Sequence, residues 1–195
     1  LLEPRFRGAI AFADPSVSAS SYTILRTLEE ALGAKDPASR AGVERRFSAA
    51  LEGRLVGVSA AVFPSVASGE NLVGLYHDEA ALELLSTGSD LRVVYPEDGT
   101  SAVPDGVALA KAAAHPQAAG AFIDFVLGPE VARVMTFRFH RRSARSDISP
   151  PAGQPPLSAI RLVAYDVQAA ARDKALTLER FAALVEEASG IRPSR

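Results

Sequence analysis

GAIAFADPSVSASSYT, residues 8–23, carries a short apolar run, Ala9 to Ala13, set between Gly8 and the turn pair Asp14-Pro15. An apolar run of that length bounded by turn residues predicts a buried strand. From Ile24 the period turns helical: Ile24, Leu25, Leu28, Ala31 and Leu32 share one stripe and Gly33 stops it. The serines therefore stand where a strand hands over to a helix. There the first N–H groups lack internal partners and the aligned peptide dipoles leave partial positive charge, which suits a small anion. Hydroxyls at Ser16, Ser18, Ser20, Ser21 and Thr23 add donors, and no Lys or Arg stands between Gly8 and Leu25. The plainer reading of the same residues is that Ser20 or Ser21 caps the helix while the others line a solvated loop.

Outward from this stretch, short strands and helices alternate. Leu1 to Arg7 reads as an entry linker. Pro37 suits a helix start, and Val43, Phe47, Ala50 and Leu51 recur at helical spacing until Gly53, with Arg45, Arg46 and Arg54 on the solvated side. Ser59 to Ser68 reads as a short helix despite Pro64, which falls past its first turn. Leu72 to Tyr76 and Leu91 to Tyr95 read as strands around a helix built on Ala80, Ala81, Leu84 and Leu85. Asp105 to Lys111 reads as one strand more. His115-Pro116 opens a helix with Phe122, Ile123 and Val126 on one face, and a second runs from Pro129 to about Phe137.

After the basic connection Arg138 to Arg145 and a proline-rich linker, Ser149 to Pro156, the pattern from Leu157 to Gly190 is helical. There Leu178, Phe181, Ala182 and Val185 are one turn apart, and Arg192 to Arg195 is a polar tail. Such alternation predicts an α/β fold, a three-layer α/β/α sandwich on a largely parallel sheet.

Composition narrows the function classes. With 195 residues, 48% of them apolar, the chain can bury a core as one large domain or two small ones. A net charge of −2 offers no electrostatic footprint for nucleic acid or an anionic membrane. Without cysteine there is neither a disulfide nor a thiolate metal site. No HExxH, Walker loop or nucleophile elbow stands in the sequence, so a Ser/His/Asp hydrolase assembled from the serines with His77 and Asp78 ranks well below a binding protein.

In open α/β sheets ligands bind at the carboxyl ends of the strands. After the second strand these are Tyr76, His77 and Asp78; Tyr76 is the choice for ligand contact, and Asp78 reads equally as a helix N-cap. Pro96 and the Asp98-Gly99 pair mark a turn, Tyr95 to Thr100, after a further strand. The basic connection reads first as a solvated link between helices; if it faces a phosphate, Arg142 or Arg145 is the choice, since a guanidinium fork matches it bidentately.

Asp14-Pro15 with Ser18-Ala19-Ser20 and Tyr22-Thr23 resembles the ADPxxSGSxYT signature of bacterial periplasmic solute-binding proteins. These serve ABC importers and are related to the ferric-ion, phosphonate and sugar-phosphate binders. VASGENLVGLY (66–76), VYPEDGT (94–100) and AAGAFIDFVLGPE (118–130) resemble further segments of that family in the same order. The resemblance implies a type II periplasmic-binding fold, of which this chain is the C-terminal portion. Residues 1–94 would form a main lobe, 95–145 a hinge and part of the other lobe, and 146–195 a linker and helices packing back on the main lobe. The resemblance places the 94–100 loop near the crossing between lobes, where Glu97 or Thr100 would touch the ligand, a plain connecting turn being the equal alternative for each. The opening lobe and an export signal are then expected upstream of Leu1.

The implied function is capture of a small phosphate- or phosphonate-bearing solute in the periplasm or outside the cell, without catalysis or a resident cofactor, for delivery to an ABC permease. Where ferric-ion members carry two adjacent tyrosines, this chain has Tyr76-His77, which weakens an iron reading while leaving those two residues as its metal candidates. An extracellular sensor domain of a membrane signalling protein is a further alternative. An incomplete lobe would leave Phe122, Phe125, Met135, Phe137 and Phe139 uncovered and favour dimerisation.

Overall fold

The computed structural model describes residues 1–190; the polar tail Arg192 to Arg195 lies outside the described residues. At its centre β1 (Ile10–Ala11) pairs in parallel with β2 (Val73–Gly74), with Ile10 opposite Val73 and Ala11 opposite Gly74. A parallel bridge between Ala13 and Val56 extends the line of β1. The helices are α1 (Ala19–Ala31), α2 (Pro37–Leu51), α3 (Val62–Ala67), α4 (Asp78–Ser86), α5 (Pro116–Val126), α6 (Pro129–Phe139) and α7 (Val167–Ser189).

The strand alternation sets two packing faces. Ile10 and Phe12 join Leu25 of α1, Phe47 and Leu51 of α2 and Phe181 of α7 in the larger cluster, which Leu1, Leu2 and Phe6 also cover. The entry segment is thus packed rather than a free linker. Phe12, Phe47 and Phe181 meet with centroids 5.0, 6.1 and 6.2 Å apart, a contact between residues far apart in the chain that ties α7 to the strand. Ala11 and Ala13 face the other way, against Val62 of α3 and the half-buried Val56, Val66 and Tyr76. Small residues matter on that side: a Cβ on Gly74 would stand 2.8 Å from Val62 Cγ1, so α3 can approach only because β2 has none there.

Capping follows local chemistry. Asp36 and Ser39 form a reciprocal capping box at the start of α2, and Asp166 accepts from Ala169 N–H at the start of α7. For α1 the cap is Ser18, whose Oγ accepts from Ser21 N–H at 3.1 Å, so neither Ser20 nor Ser21 is the cap.

Between α1, α2 and α7 lies a polar layer that the apolar stripe does not announce. Arg26, Glu29 and Glu44 are all buried. Arg26 reaches Glu29 at 2.6 Å, Arg40 reaches Asp173 at 3.2 Å and Glu30 at 3.3 Å, and Arg180 grips both oxygens of Glu44. Buried charge is tolerated only when paired in this way.

The broad sheet of a three-layer sandwich is not formed by the described residues. Leu91 to Tyr95 and Asp105 to Lys111, expected as strands, are irregular, and residues 102–112 are exposed. A strand needs a neighbour for its backbone groups, and here they are left to solvent. The α/β character is therefore partial, a two-strand centre with helices on both faces.

The C-terminal helix starts at Val167 rather than near Leu157, and its buried face is Ala170, Thr177, Phe181 and Leu184, with Ala182 exposed. Residues 161–163 instead pair with Thr100, whose N–H donates to the Arg161 carbonyl at 2.9 Å. α5 and α6 expose Phe122, Phe125, Phe137 and Phe139, as the sequence implies, and Met135 is half-buried.

Candidate functional site

Both central strands run toward the same end, and the residues following them gather there. Beyond β1 the chain turns at Asp14, whose Oδ1 accepts from Ser16 N–H at 2.8 Å, and reaches Ser18 at the start of α1. Ser59 begins the 3-10 turn that leads into α3, and its hydroxyl donates to Ser18 Oγ at 2.6 Å. Ser18 Oγ thus accepts two hydrogen bonds, from Ser21 N–H and from Ser59. The positive end of the α1 dipole lies at the same point.

The five hydroxyls of the serine stretch separate. Ser18 is buried at the cap, Ser16 is exposed on the loop and Ser20 is half-buried on the first turn. Ser21 is fully buried, and its Oγ has no hydrogen-bond partner among the described residues. Thr23 lies toward Tyr165, on the side of α1 that meets the C-terminal segment. Sequence reasoning missed Ser59. Its signal was a serine opening the turn before an apolar helix, the same cue as Ser18 with no proline turn to mark it.

Beyond β2, Tyr76 packs edge-on against Phe63 at 4.8 Å, and the His77 ring lies 3.9 Å from it. His77, not Asp78, is the N-cap residue of α4. Asp78 turns instead to a second cluster, where it accepts from Tyr95 Oη at 2.8 Å and faces Arg142 at 3.5 Å. Burial first, and then this bond to Asp78, push the Tyr95 phenol up to about 12.

The remaining candidates are placed by other contacts. Glu97 is exposed and its carbonyl accepts from Arg161, while Thr100 is in the bridge to Leu162. The neighbouring Ser101 hydroxyl meets Thr27 in the middle of α1 at 2.6 Å. Arg142 donates to the Pro155 carbonyl at 2.7 Å and Arg145 is held by Asp147 at 2.9 Å, so both arginines chosen for a phosphate already have partners within the chain. Arg142 also edges an open hollow of about 170 Å³ with Ser143, Ile148, Pro150, Pro156 and Leu157, none of which belongs to the serine site. Among the described residues no three His, Cys, Asp or Glu side chains converge as a metal site would require.

The sequence profile of the family described as bacterial extracellular solute-binding protein matches residues 1–150 of the chain. A search of curated proteins returns no match.

Proposed function

Because the chain belongs to the bacterial extracellular solute-binding proteins, we propose that it forms one wall of a receptor for a small anionic solute. Phosphate- or phosphonate-bearing solutes fit the chemistry of the Ser18–Ser59 contact best. The observation that carries this reading is Ser18 itself: a buried cap whose oxygen is saturated by two donors, so that its proton and the first N–H groups of α1 serve an outside acceptor together. The absence of Lys and Arg from residues 8–25 suits reversible capture, since dipoles and hydroxyls hold an anion without a fixed counter-charge.

Tyr76, at the end of β2, supplies the second contact. A lobe facing these strand ends completes the cleft, and an ABC permease in the membrane receives the solute. The receptor works outside the cytoplasm and performs no turnover.

Isothermal titration with inorganic phosphate and with methylphosphonate tests the reading, on this chain and on the full-length protein. Ser18→Ala is expected to weaken either anion by the value of one hydrogen bond to a charge, about 1.5–3 kcal/mol. Equal affinities before and after the substitution would overturn it.

The close Tyr76–His77 ring pair favours one second reading, capture of a metal complex through phenolate and imidazole. Titration with ferric citrate separates the two. A phenolate-to-iron absorption band lost in Tyr76→Phe would support the metal reading, and its absence from the unsubstituted chain would remove it.

A further inference from the structure

The polar layer between α1, α2 and α7 holds one carboxyl more than its guanidiniums neutralise. Glu29 and Glu44 are both 0% exposed. Arg180 takes both oxygens of Glu44, and Arg26 takes Oε2 of Glu29 at 2.6 Å, with Arg40 Nε at 3.6 Å from the same atom. The other oxygen of Glu29, Oε1, is buried and meets no donor among the described residues. What Glu29 faces across the helix contact is the carboxyl of Glu44. Two buried carboxylates in contact repel, whereas an acid and a carboxylate form a strong hydrogen bond.

The charges agree. Arg26, Arg40 and Arg180 stand against Glu29, Glu30, Glu44 and Asp173, three positive against four negative, and one proton balances them.

We propose that Glu29 and Glu44 share a proton in the folded protein and that this proton latches α7 onto α1 and α2. While it is held, Arg180 and Arg40 clamp α7 through Glu44 and Asp173. Its loss leaves an uncompensated negative charge beneath the helix and loosens the clamp.

The groups that face the pair are Tyr22, Arg26 and Glu30 from α1, Arg40 from α2, Asp173 and Arg180 from α7, and Tyr165 just before α7. His77, His115 and His140 all lie outside these three helices. Burial first, and Glu44 second, raise the Glu29 carboxyl to about 8. A raised value stabilises the docked state fully below the ordinary carboxylate range, and that stability is lost as pH climbs through about 8. When α7 lifts, Glu29 meets water and returns to the ordinary range. Opening then grows about tenfold per pH unit up to about pH 8 and levels off above it.

Hydrogen exchange of the α7 amides, corrected for intrinsic exchange, tests this on the whole chain between about pH 5 and about pH 9, beside Glu29→Gln. In the unsubstituted chain protection is expected to fall about tenfold per pH unit and then flatten. In Glu29→Gln, whose amide N–H replaces the acid O–H toward Glu44, protection should stay high and level. A level profile in the unsubstituted chain, or an equal slope in the variant, would overturn the proposal. Infrared spectroscopy of the unsubstituted chain carrying isotope-labelled glutamate covers a variant that fails to fold. A protonated-carboxyl band at neutral pH, lost on alkaline titration, supports the shared proton, and a missing band at neutral pH refutes it.

Discussion

The hydroxyl of Ser59 donates to Ser18 Oγ at 2.6 Å, joining the start of α1 to the turn that opens α3 across 41 residues of chain. The same oxygen caps α1, so one atom both closes a helix and fastens the segment from the opposite face of the sheet. Ser18→Ala should therefore cost about 0.5–2 kcal/mol of stability, the value of a lost N-cap. Ser59→Ala should cost less, and the double variant less than the sum, because both substitutions remove the shared bond. Urea unfolding of the three variants measures this, and strict additivity would tell against the coupling.

Phe181 is the one α7 residue in the aromatic trio with Phe12 and Phe47. Phe181→Ala is expected to destabilise by about 3–5 kcal/mol, since a fully packed ring leaves a cavity that neighbouring helices cannot fill. A shift of the denaturant midpoint at constant slope checks it. A loss below about 1 kcal/mol, the scale of an average substitution, would mean that α7 does not complete the core.

Gly53 has φ +69°, and a Cβ there would stand 2.5 Å from Ser189 Cβ and 2.6 Å from its Cα, both at the end of α7. Gly53→Ala meets backbone strain and a clash with main chain together, so it should destabilise by about 1–3 kcal/mol. Thermal unfolding reads the loss, and Gly33→Ala is the control: its φ is also positive, but nothing stands within 4 Å.

At α2 the Asp36 carboxyl is held below its ordinary value by the Ser39 N–H and hydroxyl and then by the Ala38 N–H. A depressed carboxyl stabilises fully above its unfolded value, and that stability is lost as pH falls through the lower folded value. Asp36→Asn should therefore be less stable than the unsubstituted chain at neutral pH, with the gap closing as pH falls through the depressed folded value of Asp36. Urea midpoints across the acid range test it, and a gap independent of pH would contradict the assignment.

Phe125 and Phe137 are 64% and 63% exposed, on α5 and α6 respectively. An apolar face of this kind binds hydrophobic dyes and drives association. Phe125→Glu with Phe137→Glu is expected to reduce dye fluorescence and any concentration-dependent sedimentation, with little change in unfolding midpoint. A large fall in the midpoint would show instead that these rings stabilise the chain itself.

Local period and punctuation carried α2, α5 and the C-terminal end of α1 nearly to their observed limits, because Pro37, Gly33, Gly53 and the apolar spacing act within a turn or two of where they stand; α1 itself begins earlier than its apolar period, at Ala19. The strand at Ala9 to Ala13 and its hand-over to a serine-capped helix were legible for the same reason. Strands at Leu91 to Tyr95 and Asp105 to Lys111 were not decided locally: a strand is completed by its neighbour, and the pattern of one segment does not say whether the neighbour is there.

Within the site, a serine cap on α1 was legible, but that the cap is Ser18 rather than Ser20 or Ser21, and that it bonds to Ser59, was not. The engagement of Asp78 by Tyr95 and Arg142 likewise appeared only when separate segments met, whereas Arg145 and Asp147 stand two residues apart in the chain.

By itself the sequence determined where the chain turns, which faces are apolar and that hydroxyls rather than cations crowd the first strand-to-helix junction. Only the tertiary structure decided that Arg26, Glu29 and Glu44 lie inside. Charged residues belong to the surface by default; Arg26 and Glu29 offset each other within α1, and Glu44 goes inside because Arg180 of α7, more than a hundred residues onward, supplies its counter-charge. Pairing across such a distance leaves no period in the sequence; it follows from packing three helices against one strand pair.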